Sequence, residues 1–271
     1  MVKKINNKIM KYGKKVWRAF NKMEMRVLPG NVAFFFVLAL IPIITITLFV
    51  ASSFSISLNN VINFVNDVFP EEAGRIIIDI ISGKGFDGSV GTFNIIAFIV
   101  ATNGTYAIIN ASNTLYKVEH NEPLRERVKS VVLLFILIVL ISFLILVPVL
   151  GGTLLNLIKN NEVIERIKYV YHIFSWPITF FMIFTTLKLI YTIAPSKKIA
   201  SRTTTYGALF TTVCWTMATA IFSYYLKYFA NYNVIYGNLS SIIILMMWVY
   251  IISYVFVMGI AINAVNLKEE K

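Results

Sequence analysis

Residues 91–120 read GTFNIIAFIVATNGTYAIINASNTLYKVEH, an apolar run followed by three amides at helical spacing within 101–120. A helix needs about 20 apolar residues to cross ~30 Å of hydrocarbon, and this run begins as such a helix would. Asn103, Asn110 and Asn113 are polar groups that lipid cannot hydrogen-bond. The stretch therefore predicts a membrane helix whose amide side chains face protein or water.

The composition of the whole chain indicates an integral membrane protein. Of its 271 residues, 58% are hydrophobic and only 14% are charged, whereas about 25% charged residues are usual in a soluble domain. The mean hydropathy is +0.73. The chain has a single cysteine, Cys214, which excludes an internal disulfide and a cysteine-based metal site.

Six apolar stretches are long enough for a spanning helix. None contains Asp or Glu, and their only basic residues, Lys188 and Lys227, lie close enough to helix ends to reach headgroups. We therefore predict an all-α polytopic membrane protein, a single membrane domain over 1–271 with six transmembrane helices and further amphipathic interfacial helices. The predicted spans are 31–53, 90–112, 131–151, 169–193, 205–228 and 239–263.

The distribution of Lys and Arg predicts the orientation. Eighteen of them lie in 1–30, 113–130, 194–204 and the tail after 263, and five lie in the connections on the other side. Because an excess of Lys and Arg stays in the cytoplasm, both termini are predicted to be cytoplasmic, as an even number of spans requires.

Two segments outside the spans are predicted to lie on the membrane surface. In residues 1–30, apolar residues at helical spacing alternate with lysines, which predicts an amphipathic helix bound to the anionic lipids of the inner leaflet. Recruitment of RNA or of a protein partner is the alternative, but orientation already accounts for the basic residues. Residues 54–89 are expected to form extracytoplasmic interfacial helices, since Glu71 and Glu72 follow Pro70 where a helix would start.

The sequence carries no pattern typical of an enzyme. Its two histidines, His120 and His172, are predicted on opposite sides of the membrane, so they cannot share a metal. No HExxH, GxSxG or phosphate-binding glycine loop occurs. We therefore predict no catalytic residues, cofactor or metal, and nucleic acid is an unlikely partner.

Polar residues on three of the predicted spans form stripes. On the second span they step by 3, 4, 3 and 4, so they drift only ~20° per heptad and share one face. Such stripes either hydrogen-bond helices together or line a polar path for a solute or headgroup. For the second span we expect an interior cavity facing spans five and six, where the amides contact the transported species. The predicted pathway residues are Asn103, Tyr106, Asn110, Asn113, Lys117, Thr212, Thr216, Thr219, Ser253 and Asn263.

Three segments resemble the YihY/BrkB family of bacterial membrane proteins. They are AFFFVLALIPIITI at 33–46, NGTYAIINASNTLYKVE at 103–119 and YGNLSSIIILMMWVYIISYVFVMGIAINA at 236–264. The resemblance implies a six-span inner-membrane protein with cytoplasmic termini. Family members have carried the label ribonuclease BN, some are called virulence factors, and some have been proposed to move lipids or envelope precursors.

We predict that the protein moves a small solute or an amphipathic lipid or envelope precursor across the membrane. The alternative is a structural or scaffold protein of the cell envelope that transports nothing. RNA processing is the weakest interpretation, because RNA hydrolysis normally needs metals that no cluster of acids or histidines here could hold.

The predicted topology can be tested by cysteine labelling of intact cells in a background that lacks Cys214. A cysteine at Ser89 is expected to react with an impermeant maleimide, because 54–89 lies outside. A cysteine at Asn7 is expected to react only after the cells are opened. The reverse labelling pattern would contradict the orientation.

Overall fold

The computed structural model describes residues 19–53, 90–118, 123–157, 161–229 and 236–269, together with residues 14, 17 and 232 and ten scattered positions between 59 and 78. Every regular element among them is a helix, which confirms the all-α prediction. A short 3₁₀ turn, Gly237–Leu239, precedes the last helix. The helices, of 24 to 35 residues, are α1 Glu24–Ser53, α2 Val90–Tyr116, α3 Pro123–Leu157, α4 Asn161–Ile193, α5 Thr205–Tyr228 and α6 Ser240–Glu269.

Five of the predicted spans coincide with one of these helices or lie inside it, and the sixth, 239–263, begins one residue before α6. By length and composition, Thr205–Tyr228 and Ser240–Leu267 could each cross a membrane, and Pro177–Ile193 is a shorter apolar stretch, among the residues searched. Two such helices do not establish six crossings, so that number stays a prediction.

Consecutive helices pack side by side and run antiparallel. α2 contacts α3, α3 contacts α4, α4 contacts α5 and α5 contacts α6, while α1 packs against both α2 and α6. The end of α2 therefore lies beside the start of α3, and the end of α4 beside the start of α5. Met25 at the start of α1 joins Leu115 and Ala194 in one buried cluster. We call this end of the bundle, where α2, α4 and α6 end and α1, α3 and α5 begin, the junction end.

An aromatic group from different helices fills the centre of the bundle. Phe256 of α6 lies 5.0 Å from the Tyr191 ring of α4, 6.3 Å from Trp215 of α5 and 6.0 Å from Phe36 of α1, between ring centroids. The buried Tyr191 hydroxyl donates to the Phe256 carbonyl at 2.9 Å and pairs with the Thr211 hydroxyl at 2.8 Å. One tyrosine thus joins α4, α5 and α6.

Helices α5 and α6 approach most closely at two glycines. A Cβ added at Gly207 would overlap the Gly259 carbonyl oxygen and the Asn263 amide. The backbone N–H of Gly207, in the first turn of α5, has no partner within its own helix, and it donates instead to Asn263 Oδ1 at 2.8 Å. Thr204 is the N-cap residue of α5, but its side chain makes no hydrogen bond to the end of the helix. Asn263 therefore caps α5 from the neighbouring helix.

Two exposed surfaces carry the apolar character that the composition predicts. One is a row on the outer face of α3, which we call the apolar stripe, and its members are 50% to 82% exposed. The other is a group of exposed aromatic residues at the end of α5 opposite the junction end, typical of a membrane–water boundary. The stripe consists of Leu124, Val128, Val132, Phe135 and Val139, and the aromatic group of Tyr224, Tyr225, Tyr228 and Phe229.

The two predicted surface segments are described only in part. Residues 1–13 lie outside the described residues, while Trp17 is 69% exposed and Ala19 is buried. Between 54 and 89 the described positions other than Pro70 are helical, and Arg75 pairs with Glu71 at 2.7 Å, one helical turn away. The interfacial position of both segments stays a prediction.

The substitution Gly207→Ala tests the close contact of α5 and α6. Overpacking of this kind costs roughly 1–3 kcal/mol, so thermal unfolding of purified protein in detergent should shift to lower temperature. Gly30→Ala is the matched control, because a Cβ at Gly30 meets no atom within 4 Å, and alanine favours a helix by up to about 1 kcal/mol. Equal melting temperatures for the two variants would contradict the described packing.

Candidate functional site

The predicted pathway residues of α2 are Asn103, Tyr106, Asn110, Asn113 and Lys117, and we call them the amide row. The row ends in a regular helix terminus. The N–H of Val118 donates to the Asn113 carbonyl at 2.9 Å and that of Lys117 to the Thr114 carbonyl at 3.2 Å, the two bonds of a Schellman motif. Lys117 has a φ of 56°, a left-handed conformation that non-glycine residues rarely adopt. Its side chain is exposed, so the residue ends the helix rather than lining an interior path.

The side chain of Asn113 is fully buried and hydrogen-bonds in three directions. Its Nδ2 donates to Glu126 Oε1 at 2.7 Å and to Ser196 Oγ at 2.9 Å, and its Oδ1 accepts the backbone N–H of Ser196 at 2.7 Å. Ser196 belongs to the connection between α4 and α5. One amide therefore joins α2, α3 and that connection, and we call these three residues the amide junction.

Glu126 is a buried carboxylate in the first turn of α3, only 4% exposed. Pro123 begins this helix, as a residue without an N–H can, and a negative side chain is favoured near a helix N-terminus. The Ser196 hydroxyl also donates to Glu126 Oε1 at 3.3 Å. One turn further along α3, the Lys129 ammonium donates to the Pro195 carbonyl. The α4–α5 connection is thus held at two successive turns of α3.

Asn103 and Tyr106, at the other end of the row, hold an arginine of α3. Arg127 donates from its guanidinium to Asn103 Oδ1 at 2.7 Å, and its guanidinium carbon lies 4.9 Å from the centre of the Tyr106 ring. An arginine over an aromatic face is a favourable electrostatic contact. Asn103 and Tyr106 are one turn apart on α2, which is why one arginine reaches both.

A hydrogen bond between α2 and α3 shows that the end of the predicted span 90–112 and the start of the predicted span 131–151 lie at different depths along the bundle. The Thr105 hydroxyl donates to the Ser130 carbonyl at 2.7 Å, so Thr105 is level with the residue before the predicted span 131–151. The predicted span 90–112 continues seven residues beyond Thr105, about 10 Å at 1.5 Å per residue. The part of the amide row nearest the junction end is therefore level with the polar first turns of α3.

The direction that we expected for the amide row was wrong for two of its members. Asn103 and Asn113 point to α3 and the α4–α5 connection, not to helices five and six. The two amides point this way because α2 pairs with α3 in antiparallel orientation, which brings Glu126 and Arg127 against the row. Asn110 is half-buried, and its side chain has no hydrogen-bond partner among the described residues.

The predicted pathway residues of α5 and α6 mostly serve the packing of helices. The hydroxyls of Thr212 and Thr216 donate one turn back along α5, each at 2.8 Å, and Thr219 accepts the Trp248 indole N–H at 3.4 Å. Asn263 caps α5. The buried Ser253 hydroxyl has no partner in the described part of the chain. Among the described residues, no hydrogen bond joins these side chains to the amides of α2.

A cleft of about 570 Å³ lies at the junction end, beside the amide junction. Four basic residues and the Glu126 carboxylate give its lining a formal charge of +3, and Val128 and Val132 bring the apolar stripe of α3 to its edge. Burial lowers the pKa of Lys129, as does the nearby charge of Arg125, while Glu126 acts in the opposite sense. The cleft therefore favours a negatively charged occupant. Its basic residues are Arg125, Lys129, Lys197 and Lys198.

No group of three or more His, Cys, Asp or Glu side chains within the searched, described residues could hold a metal ion. His120, one of the two histidines weighed for a metal, lies outside the described residues. Glu126 and Ser196 hydrogen-bond to an amide rather than forming a metal site.

Comparison with known proteins identifies the family. A family model described as Virulence factor BrkB matches residues 16–271. The chain belongs to this family. A Bacillus subtilis relative named "Putative ribonuclease-like protein YfkH" is 28% identical over 267 residues, 97% of each chain.

Two further relatives of this BrkB-family chain are named UPF0761 membrane proteins. The Haemophilus influenzae relative is 23% identical over 92% of each chain, and the Coxiella burnetii relative is 29% identical over 92% of this chain and 91% of its own. No solved structure matches the chain. The family and these relatives support an integral membrane protein, as the composition predicts.

Sequence reasoning missed Glu126 and Ser196 as partners of the amide row. A usable signal was present, because a single acid in PLRERVK follows a helix-starting proline and lies 13 residues from Asn113 across a short connection. Ser196 lies 83 residues from Asn113, so its position depends on how the fourth helix returns to the junction end.

Paired substitutions compare Asn113, which makes three hydrogen bonds, with Asn110, which makes none to a described residue. Asn113→Leu removes three hydrogen bonds and takes the nearer described donor, at 2.7 Å, from the buried Glu126 carboxylate. This loss should cost roughly 1–3 kcal/mol and lower the melting temperature in detergent. Asn110→Leu is the matched control and should leave the melting temperature nearly unchanged, since no described hydrogen bond is lost. Equal destabilisation by both changes would contradict the amide junction.

Proposed function

We propose that this BrkB-family protein is a six-span inner-membrane protein that moves an amphipathic lipid or envelope precursor between leaflets. The observation that carries the proposal is the cleft at the junction end, which is polar at its floor and borders the exposed apolar stripe of α3. A molecule with a headgroup and an acyl chain fits both surfaces at once, whereas a small polar solute would use only one.

The proposed orientation places the junction end in the cytoplasm. The excess of Lys and Arg in the connections at this end supports that placement. The exposed aromatic residues at the far end of α5 support a second membrane boundary there. At the junction end, the level of Thr105 and Ser130 supports a boundary above the amide junction, which puts the cleft at headgroup depth.

A structural role in the cell envelope is the second candidate. It is favoured by the packing of Asn113, which is fully buried and hydrogen-bonded, and by the threonines of α5 that bond within their own helix. RNA processing is suggested by names alone, that of the Bacillus relative and the ribonuclease label that family members have carried. Cleavage of RNA by purified protein, lost on changing one of its own residues, would support that weaker alternative.

Lipid translocation tests the proposal directly. Vesicles that contain the purified protein and a fluorescent phospholipid in both leaflets are treated with an impermeant reductant, which destroys only outer-leaflet fluorescence. With the protein present, the inner-leaflet fluorescence should also be lost. Val132→Trp, which fills the apolar edge of the cleft, should slow this loss several-fold, and Val213→Trp on the exposed face of α5 should not.

A folded protein that leaves the inner-leaflet fluorescence protected would contradict lipid movement and favour the structural role. Equal slowing by both tryptophan variants would show that the cleft is not the route. Circular dichroism and melting curves of both variants establish that each is folded.

A further inference from the structure

The cleft at the junction end has cations whose charge the described fold does not neutralise. Lys197 and Lys198 are exposed on the α4–α5 connection, and neither has an acidic partner among the described residues. Lys129 uses one of its three donors on the Pro195 carbonyl, so two remain. Three ammonium groups therefore border one cavity.

The amide junction determines where these cations lie. Ser196 is fixed by its two bonds to Asn113, and Lys197 and Lys198 follow it directly in the sequence. Lys129 lies on α3, one turn after Glu126, which is bonded to the same amide. The cations thus belong to a connection and a helix that buried and part-buried hydrogen bonds to Asn113 hold in register.

We propose that this cleft binds the phosphate of an anionic lipid headgroup through Lys129, Lys197 and Lys198, with the acyl chain along the apolar stripe of α3. The inference rests on the proposed function, because it names the class of lipid that the cleft would accept. A phosphate offers several acceptor oxygens to ammonium groups from different directions. Near a membrane surface each such cation contributes attraction to an anionic lipid.

The apolar part of the lining favours a lipid over a free anion or a nucleic acid. Val128 and Val132 line the cleft and belong to the five-residue apolar stripe, which extends from Leu124 to Val139. The lining residues described for the cleft include no aromatic ring, whereas proteins that bind single strands stack bases on aromatic side chains. A phosphate attached to an acyl chain matches this surface.

The test is lipid binding by the full-length protein, delipidated in neutral detergent and measured by native mass spectrometry. Phosphatidylglycerol should bind, phosphatidylcholine should bind more weakly, and inorganic phosphate should not compete at equal concentration. Lys197→Gln with Lys198→Gln removes two exposed cations and should weaken phosphatidylglycerol binding by roughly tenfold to thirtyfold. Lys129 is left unchanged, since its bond to Pro195 also holds the connection.

The matched control is Lys22→Gln with Arg26→Gln, which removes two exposed cations at the same end of the bundle but outside the cleft. It should change phosphatidylglycerol binding by less than about twofold, the difference expected when two cations far from the lipid are lost. Equal weakening in both double variants would overturn the proposal in favour of general surface attraction. Full competition by inorganic phosphate would overturn the lipid assignment.

The lipid-binding and lipid-translocation experiments can contradict this inference and the proposed function independently of each other. Selective binding of phosphatidylglycerol without lipid movement in vesicles would sustain this inference and contradict the proposed function. Lipid movement that is unchanged in the Lys197→Gln, Lys198→Gln variant, together with unselective binding, would contradict this inference alone. Single substitutions at either lysine provide the same comparison if the double variant does not fold.

Discussion

The buried amide of Asn113 is the interaction on which the junction end of the bundle depends. It has both donors and its acceptor engaged, and its partners come from α3 and from the connection between α4 and α5. An apolar replacement could not hold three chain segments in a fixed register, because dispersion contacts have little directional preference. The cleft, its cations and the start of α5 are all positioned through this contact.

The same constraint explains why amides occur in a helix that otherwise loses polarity. The antiparallel pairing of α2 and α3 puts Asn113 against Glu126 and Asn103 against Arg127, so these two amides meet partners rather than lipid. At the other side of the bundle, Asn263 caps α5 where Gly207 allows the two helices to approach. In both places an asparagine hydrogen-bonds to backbone or side-chain groups of a neighbouring segment.

Hydrophobic length and charge were sufficient to predict an all-α membrane protein and an apolar stretch in each of the long helices that the structure describes. The grouping of Asn103, Tyr106 and Asn113 on one face was also predictable, since it follows from helical spacing. Their direction was not, because it depends on which helix packs against that face, and helical spacing holds no information about neighbours. Thr212, Thr216 and Asn263 hydrogen-bond within α5 or between α5 and α6, and the pathway expected through them stays a prediction. Ser196 could not be paired with Asn113 without knowing how α4 returns to the junction end.

A double-mutant cycle between Asn113 and Glu126 tests the central claim most directly. Unfolding free energies in detergent would be measured for the parent, Asn113→Ala, Glu126→Ala and the double variant. A buried, charge-assisted hydrogen bond predicts a coupling energy of about 1–3 kcal/mol. Additive effects, with coupling indistinguishable from zero, would show that the two side chains do not interact and would contradict the amide junction.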